Sequence, residues 1–103
     1  MGKVKVILDG SIKPQEVINM ACTMCHVNKK ILLSSSREGD IMVARRFVTY
    51  YLGCNGFSRI QIGKILNRNH SSITYLFSSM ICFLKNEEQL RKEYDNFLNV
   101  LKN

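Results

Sequence analysis

Apolar residues recur at helical spacing through most of this sequence, and this periodicity constrains the fold more than any other feature. Five segments between Pro14 and Leu101 each have an apolar stripe with intervals of three and four residues, the pattern of a helix that buries one face. The single proline, at position 14, suits the first turn of a helix. The pattern therefore predicts an all-α domain of about five helices.

Capping and turn residues set the predicted helix boundaries. Ser58 is a good N-cap, and Asn86 precedes two glutamates that favour the first turn of a last helix. The polar stretch 34–40 predicts a loop. Residues 1–12 fit no helix, and we interpret them as an N-terminal arm or short appendage beside a domain of residues 13–103. The predicted helices cover about residues 14–26, 39–53, 58–66, 69–84 and 86 to the end, with a short helical turn within 27–33.

The segment Cys-Thr-Met-Cys-His at 22–26 has the spacing of a c-type haem attachment, of zinc ligands or of a redox dithiol. Both cysteines also fall on the apolar stripe of the first helix, and reduced cysteine is a small residue that is often buried. No second Cys-x-x-Cys pair completes a zinc site, and the other histidine is His70. We therefore interpret the segment as core and expect no cofactor and no metal.

No paired carboxylates and no nucleophile–base pair stand at a recognisable spacing, so the sequence does not indicate an enzyme. An enzyme or metalloprotein built on residues 22–26 is the least favoured alternative. The longest apolar runs are too short to span a membrane, and nothing resembles a signal peptide, which predicts a cytoplasmic protein with reduced cysteines.

Basic residues are concentrated in the middle of the chain. The net charge is +7, and residues 41–84 contain no aspartate or glutamate, whereas the charges after residue 82 balance. This asymmetry favours a polyanionic partner, nucleic acid before an anionic membrane, and a solvated basic face without a partner is the alternative. The basic residues of the acid-free stretch are Arg45, Arg46, Arg59, Lys64 and Arg68.

A helix-turn-helix pattern lies inside this basic stretch. A short predicted helix ends at Leu66, a tight turn follows at 67–69, and a second helix begins with the small polar residues Ser71 and Ser72. Small side chains suit a helix end that enters a DNA groove, because they allow the backbone to approach the bases.

The stretch VARRFVTYYL, followed by IQIGKILNRNHSSI, resembles the C-terminal DNA-binding domain of the bacterial replication initiator DnaA. The similar features are Ile-Gly at 62–63, then an apolar pair, a basic residue and His-Ser-Ser-Ile at 70–73, with Ala-Arg upstream at 44–45. The resemblance covers about residues 13–103. It implies a Trp-repressor-like helix-turn-helix fold and sequence-preferring binding to double-stranded DNA, at DnaA-box-like sites, in replication initiation or transcription regulation.

The resemblance also implies roles for individual residues. Arg45 is expected to insert into the minor groove, while the recognition helix, about residues 69–84, lies in the major groove. The bases would be read there by Asn69, His70 and Ser71. Phosphate contacts are expected from Ser72 and, on charge and position, from Arg46, Ser58, Arg59, Lys64 and Arg68. The simpler alternatives are that His70 is only a helix cap and that Arg45 is an ordinary surface arginine.

The sequence departs from the family pattern in three respects. Asn69 is neutral where the family usually has an acidic residue, and Ser71 replaces a threonine whose methyl group can contact thymine. Further along the helix, Leu76 and Ser79 stand where a small and a basic residue are usual. We therefore expect the recognised site to differ from the standard DnaA box.

The chain has no GxxxxGK[ST] phosphate loop and is too short for the ATPase module of the DnaA family. We therefore expect no nucleotide partner and a stand-alone DNA-binding domain of bacterial or phage origin. The initial methionine and the unmatched first dozen residues favour a complete small protein over a fragment. The alternative function is a protein-interaction module that keeps the fold and does not bind DNA.

Overall fold

The computed structural model describes residues 12 to 102, which form six α-helices joined by short connections and contain no strand. The predicted all-α fold of about five helices is confirmed, and the additional helix is the four-residue α2. The predicted N-terminal arm, apart from Ile12, lies outside the described residues. The helices are α1 (Pro14–Cys25), α2 (Lys29–Leu32), α3 (Gly39–Cys54), α4 (Arg59–Leu66), α5 (His70–Asn86) and α6 (Glu88–Lys102).

The α3 helix is central, because it packs against α1 and α5 and also touches α2 and α4. One face of it is buried, as its helical spacing predicts. Side chains from the neighbouring helices complete one core, and the fully buried members include Ile18, Leu32, Phe47, Val48, Leu52, Leu66 and Met80. Each helix within residues 12–102 is too short or too polar to traverse a lipid bilayer.

Aromatic side chains join α6 to α3. The ring of Phe47 on α3 lies 5.4 Å from that of Tyr94 and 5.3 Å from that of Phe97, both on α6. The Phe47–Tyr94 pair is edge-to-face, a geometry that adds to the free energy gained by burying the rings. Burial also raises the pKa of the Tyr94 hydroxyl well above its usual value. The C-terminal helix is therefore part of the core.

The boundary between the last two helices differs from the sequence prediction. The sequence predicts that Asn86 caps the last helix, but Asn86 is the final residue of α5, and its side-chain amide donates to the carbonyl of Cys82 at 2.9 Å. Glu87 alone separates the two helices, with an extended backbone (φ −119°, ψ 98°). The bond from Asn86 to the preceding turn explains the difference, because it directs the side chain back along α5 and away from α6.

The Cys-Thr-Met-Cys-His segment forms the C-terminal end of α1. Cys22 is buried in the core, as predicted, whereas Cys25 is half-buried and His26 is exposed. His26 closes the helix with a left-handed backbone (φ 57°), and the next N–H, of Val27, donates to the carbonyl of Cys22. The histidine thus serves a backbone role at the helix end.

The environment of the two thiols favours their protonated form. Burial raises the pKa of both, and for Cys25 burial and the negative charges of Asp40 and Glu93 raise the pKa to about 11. Reactive and metal-binding cysteines are those in which the thiolate is favoured, the opposite direction. Among the described side chains, no three groups of His, Cys, Asp or Glu lie close enough together to hold a metal ion.

A close backbone approach builds the turn between α4 and α5. Asn67 ends α4 with a left-handed backbone (φ 57°), and the N–H of Arg68 then donates to the carbonyl of Gly63 at 2.8 Å. A Cβ atom at position 63 would lie 2.5 Å from the carbonyl oxygen of Arg68, far inside van der Waals contact. The glycine of the Ile-Gly pair therefore permits the tight helix-turn-helix arrangement.

We predict that Gly63→Ala lowers the free energy of unfolding by about 1–3 kcal/mol, because the methyl group must push the backbone of the turn away. Urea denaturation measures this difference. Gly39→Ala is the matched control, because position 39 is exposed, begins α3 and has no atom within 4 Å of the place that a Cβ would occupy; its stability should be unchanged or slightly higher. Equal stabilities of the two variants would contradict this account of the turn.

Candidate nucleic-acid interface

The N-terminal end of α5 presents small polar groups to solvent. Asn69 is its N-cap, and the side-chain oxygen of Asn69 accepts from the N–H of Ser72 at 2.9 Å. The carbonyl of Asn69 accepts from the N–H of Ile73, which leaves the N–H groups of His70 and Ser71 as the unused donors of the first turn. Asn69, His70 and Ser71 are all exposed. The cap is therefore Asn69, and His70 is the first helical residue.

A cleft of about 330 Å³ opens beside this helix end. Ser71, Ser72 and Tyr75 of α5 line it, together with Arg37 from the loop between α2 and α3 and Arg68 from the turn between α4 and α5. Tyr75 is 54% exposed, and Arg37 is also exposed. The cleft thus combines an aromatic ring, hydroxyl groups and two positive charges at the end of one helix.

The structure places Arg45 differently from the sequence prediction, because its side chain is only 1% exposed. The guanidinium group donates to backbone carbonyls at the end of α2 and in the chain that joins α2 to α3. The minor-groove contact expected of Arg45 would require the group to leave these acceptors, so this position does not suit that role. The donor–acceptor distances are 2.9 Å to Leu32, 2.5 Å to Ser36, 2.6 Å to Ser34 and 3.4 Å to Ile31.

Three arginines share this region without a carboxylate partner. Burial, followed by the positive charges of Arg68 and Arg37, lowers the pKa of Arg45 to about 10. In the described part of the chain, the one ion pair within 4.0 Å joins Lys92 and Glu88 on α6. No carboxylate of residues 12–102 is therefore within ion-pair distance of these guanidinium groups, and an anion placed in the cleft would reduce the repulsion that Arg68 and Arg37 exert on Arg45.

Two further basic residues lie on the other side of the helix end. Lys64 is exposed and, with Arg68, Asn69 and His70, lines a shallow concavity over the turn. Arg59 is exposed at the start of α4. Together with the cleft, these side chains form a basic surface around the N-terminal end of α5.

Three of the predicted phosphate contacts make hydrogen bonds within the protein, and one of them, Arg68, does so through a terminal nitrogen that donates to the carbonyl of Ser34. The Ser58 hydroxyl accepts from the N–H of Gln61, while the Gln61 side chain accepts from the N–H of Ser58, a complete capping box. The guanidinium of Arg46 donates to the Ser79 hydroxyl at 3.0 Å and lies 4.7 Å from the ring centre of Phe83. Ser58 thus begins α4, and Arg46 binds α3 to α5.

An apolar groove of about 530 Å³ adjoins the same helix end. Ile60 is the most exposed large apolar side chain there, at 63%. His70 and Arg59 also line the groove, so it is continuous with the basic surface. The apolar lining consists of Gly53, Phe57, Ile60, Ile62, Ile73 and Phe77.

The exposed Tyr75 and Arg37 of the cleft are not among the predicted site residues. Tyr75 follows Ser71 by four positions, which places both on one helix face, and this spacing is visible in the sequence. Arg37 lies in the polar loop before α3, outside the acid-free stretch, with Glu38 and Asp40 close in sequence. Only the packing of that loop near α5 distinguishes Arg37 from an ordinary loop arginine.

Neither a protein-family model nor a curated protein sequence matches this chain. The geometry of the residues themselves is therefore the basis on which a function is assigned.

We predict that Asn69→Ala lowers the free energy of unfolding by about 1 kcal/mol, because it removes the side-chain cap of a 17-residue helix. Asn69→Asp keeps an acceptor and adds a negative charge at the helix N-terminus, so its stability should equal or exceed that of the parent. Chemical denaturation measures both, with Ser71→Ala, at an exposed position, as the control. The cap assignment fails if Asn69→Ala is as stable as the parent protein.

Proposed function

We propose that this protein binds double-stranded DNA with a sequence preference, through the N-terminal end of α5. The observation that supports this most directly is the uncompensated arginine cleft beside an exposed turn of Asn69, His70 and Ser71. Phosphates supply the charge that the cleft lacks, and small polar side chains at a helix end suit base edges in the major groove.

Within this proposal, Asn69, His70 and Ser71 read bases. The oxygen of the Asn69 side chain already accepts from Ser72, which leaves its amide group to donate to a base acceptor such as N7 of a purine. The imidazole of His70 is exposed and can donate or accept.

The phosphate contacts fall to exposed or half-buried donors around the helix end, which are Arg59, Lys64, Arg68 and Ser72. Arg68 donates to the Ser34 carbonyl through one terminal nitrogen, and its other nitrogens have no hydrogen-bond partner within residues 12–102. Each neutralised phosphate releases counterions, so binding should weaken steeply as salt is added. Ser58 and Arg46 support the helices that present these groups, since their polar atoms bind within the protein.

We assign to Arg37 the groove contact that the sequence assigned to Arg45. Arg37 is exposed and lines the cleft with Ser71 and Tyr75, so its guanidinium is free to follow the backbone from the major groove to the adjacent minor groove. A narrow, A·T-rich minor groove has an enhanced negative potential that attracts arginine.

The biological setting that we propose is the control of replication initiation or of transcription. It rests on the resemblance of the helix-turn-helix stretch to the DNA-binding domain of DnaA, and DnaA-box-like duplexes are therefore the first probes to use.

We predict that His70→Ala and Lys64→Ala weaken DNA binding in different ways. His70→Ala should cost about 1–3 kcal/mol on the preferred duplex and reduce the preference over a scrambled one, because a base contact is lost. Lys64→Ala should weaken both duplexes equally and lower the salt slope by about 1, because a phosphate contact is lost. Fluorescence anisotropy at several salt concentrations measures both effects.

The exposed Lys85→Ala, near the C-terminal end of α5, is the control for lost charge and should leave affinity nearly unchanged. If His70→Ala prefers the same duplex over the scrambled one as strongly as the parent does, the N-terminal turn of α5 does not read bases. The proposed DNA binding would be contradicted if the protein bound no DnaA-box duplex, no scrambled duplex and no random-sequence pool. Binding that does not depend on salt would contradict the proposed phosphate contacts.

We predict that Arg37→Ala lowers affinity about tenfold and the salt slope by about 0.9, the value for one lost phosphate contact. Arg37→Lys should keep the slope but lose discrimination between A·T-rich and G·C-rich flanking sequence, because the ammonium is more strongly hydrated than the guanidinium. Anisotropy with paired flank variants measures this, and Lys30→Ala on α2 is the control. Identical flank discrimination by Arg37→Lys and the parent would contradict the groove assignment.

A protein-interaction module is the second candidate function, and the apolar groove around Ile60 favours it. Duplex binding by the parent protein distinguishes the two functions, because the interaction module binds no DNA. If the parent binds a duplex, Ile60→Asp should weaken that binding, because the new carboxylate lies next to His70 and Arg59 and repels the phosphates.

A further inference from the structure

The carbonyl groups of residues 31–36 nearly all point at side-chain donors from elsewhere in the fold. Those of Ile31, Leu32, Ser34 and Ser36 accept from Arg45 on α3. The Ile31 carbonyl, which lies in α2, also accepts from the N–H of Ser34. After α2 the segment has no regular backbone pairing, so side-chain donors replace it at the carbonyls of Leu33, Ser34 and Ser36.

The same segment is bound a second time, by the helix-turn-helix turn. The amide of Asn67 donates to the carbonyl of Leu33 at 3.3 Å, and the guanidinium of Arg68 donates to that of Ser34. The Ser34 carbonyl thus accepts from both Arg45 and Arg68, which couples α3, the loop and the turn at one oxygen. Arg37 follows three residues after this oxygen.

A guanidinium is needed for this arrangement. Arg45 uses its Nε and both terminal nitrogens, in a fixed planar fork, to reach acceptors on four residues. A lysine ammonium is one point charge on a flexible stem and has no planar fork to span them. Burying a charge costs desolvation free energy, and the hydrogen bonds to these carbonyls offset part of that cost.

We propose that Arg45 is a positioning residue for DNA binding, which contacts no DNA itself but holds the 33–38 loop so that Arg37 and Arg68 converge on the cleft beside α5. The inference rests on the proposed function. It explains why a fully buried arginine lies next to two exposed or half-buried ones: the buried group supplies the fixed geometry, and the others supply the accessible charge.

The test compares Arg45→Lys, Arg37→Ala and the double variant, by anisotropy on the preferred duplex over a range of salt. Arg45→Lys keeps the charge and one donor, so it disturbs folding less than a neutral substitution would. We expect it to lower affinity about tenfold to a hundredfold and to lower the salt slope by up to about 1.8, since two phosphate contacts are misplaced. Adding Arg37→Ala should then cause little further loss, because its contact is already disturbed.

Arg91→Lys is the matched control. Arg91 also donates to a backbone carbonyl, that of Leu84, but it lies on α6 and does not line the cleft. Its substitution should change neither affinity nor slope. Urea denaturation of every variant, at the salt concentrations used for binding, gives the folded fraction by which each affinity is corrected.

Three outcomes would overturn the inference. If the double variant lost affinity by the product of the two single-variant factors, Arg45 would act independently of Arg37. If folded Arg45→Lys had the affinity and the salt slope of the parent, Arg45 would contribute to stability alone. If the parent protein binds no duplex, the proposed function fails and this inference fails with it. If Arg45→Lys does not fold, Ser35→Pro takes its place, because it changes the backbone of the loop and leaves Arg45 and the residues whose carbonyls it binds unsubstituted. It should reproduce the slope change, and a parent-like slope would overturn the positioning role.

Discussion

The buried guanidinium of Arg45 joins parts of this small domain that the helical core alone would leave separate. Helix packing orients α3 and α5, but it does not determine the path of the chain between α2 and α3, whose carbonyls need partners. Arg45 supplies them from the middle of α3, and Arg68 supplies one more from the turn before α5. The loop, the turn and the N-terminal end of α5 consequently form one continuous surface.

Short-range backbone interactions between α4 and α5 also shape this surface. Gly63 allows the turn to pass close to α4, Asn67 adopts the left-handed backbone that ends α4, and Asn69 caps α5. These three features lie within seven residues, so they depend little on the rest of the chain. Because the cap uses one atom of Asn69 and leaves its amide group exposed, helix stability and base contact can draw on the same side chain.

The sequence predicts those features of this structure that depend on interactions between residues close in the chain, and it misses those that depend on distant residues. Helical periodicity and the caps at Ser58 and Asn69 are local, and the helices follow from them. The role of Arg45 is not local: arginine is usually exposed, and its acceptors lie 9 to 14 residues away, at the end of α2 and in the loop that follows it. Arg37 escapes prediction for the same reason, because its place in the cleft depends on that loop. The predicted boundary at Asn86 is wrong because a cap residue at the end of one helix can bind backwards instead of forwards.

The division of charge within the fold strengthens the case for a polyanion over a protein partner. On α6, where the charges balance, Lys92 pairs with Glu88, and basic and acidic residues share an exposed face. Around the N-terminal end of α5, by contrast, Arg37, Arg45 and Arg68 repel one another without a carboxylate in contact. Folding would favour a neutral group or an ion pair at such a place, since uncompensated positive charge lowers stability. The proposed DNA partner would offset this cost, because a row of phosphates supplies negative charge beside the arginines, whereas the side chains of the apolar groove at Ile60 need no charge beside them.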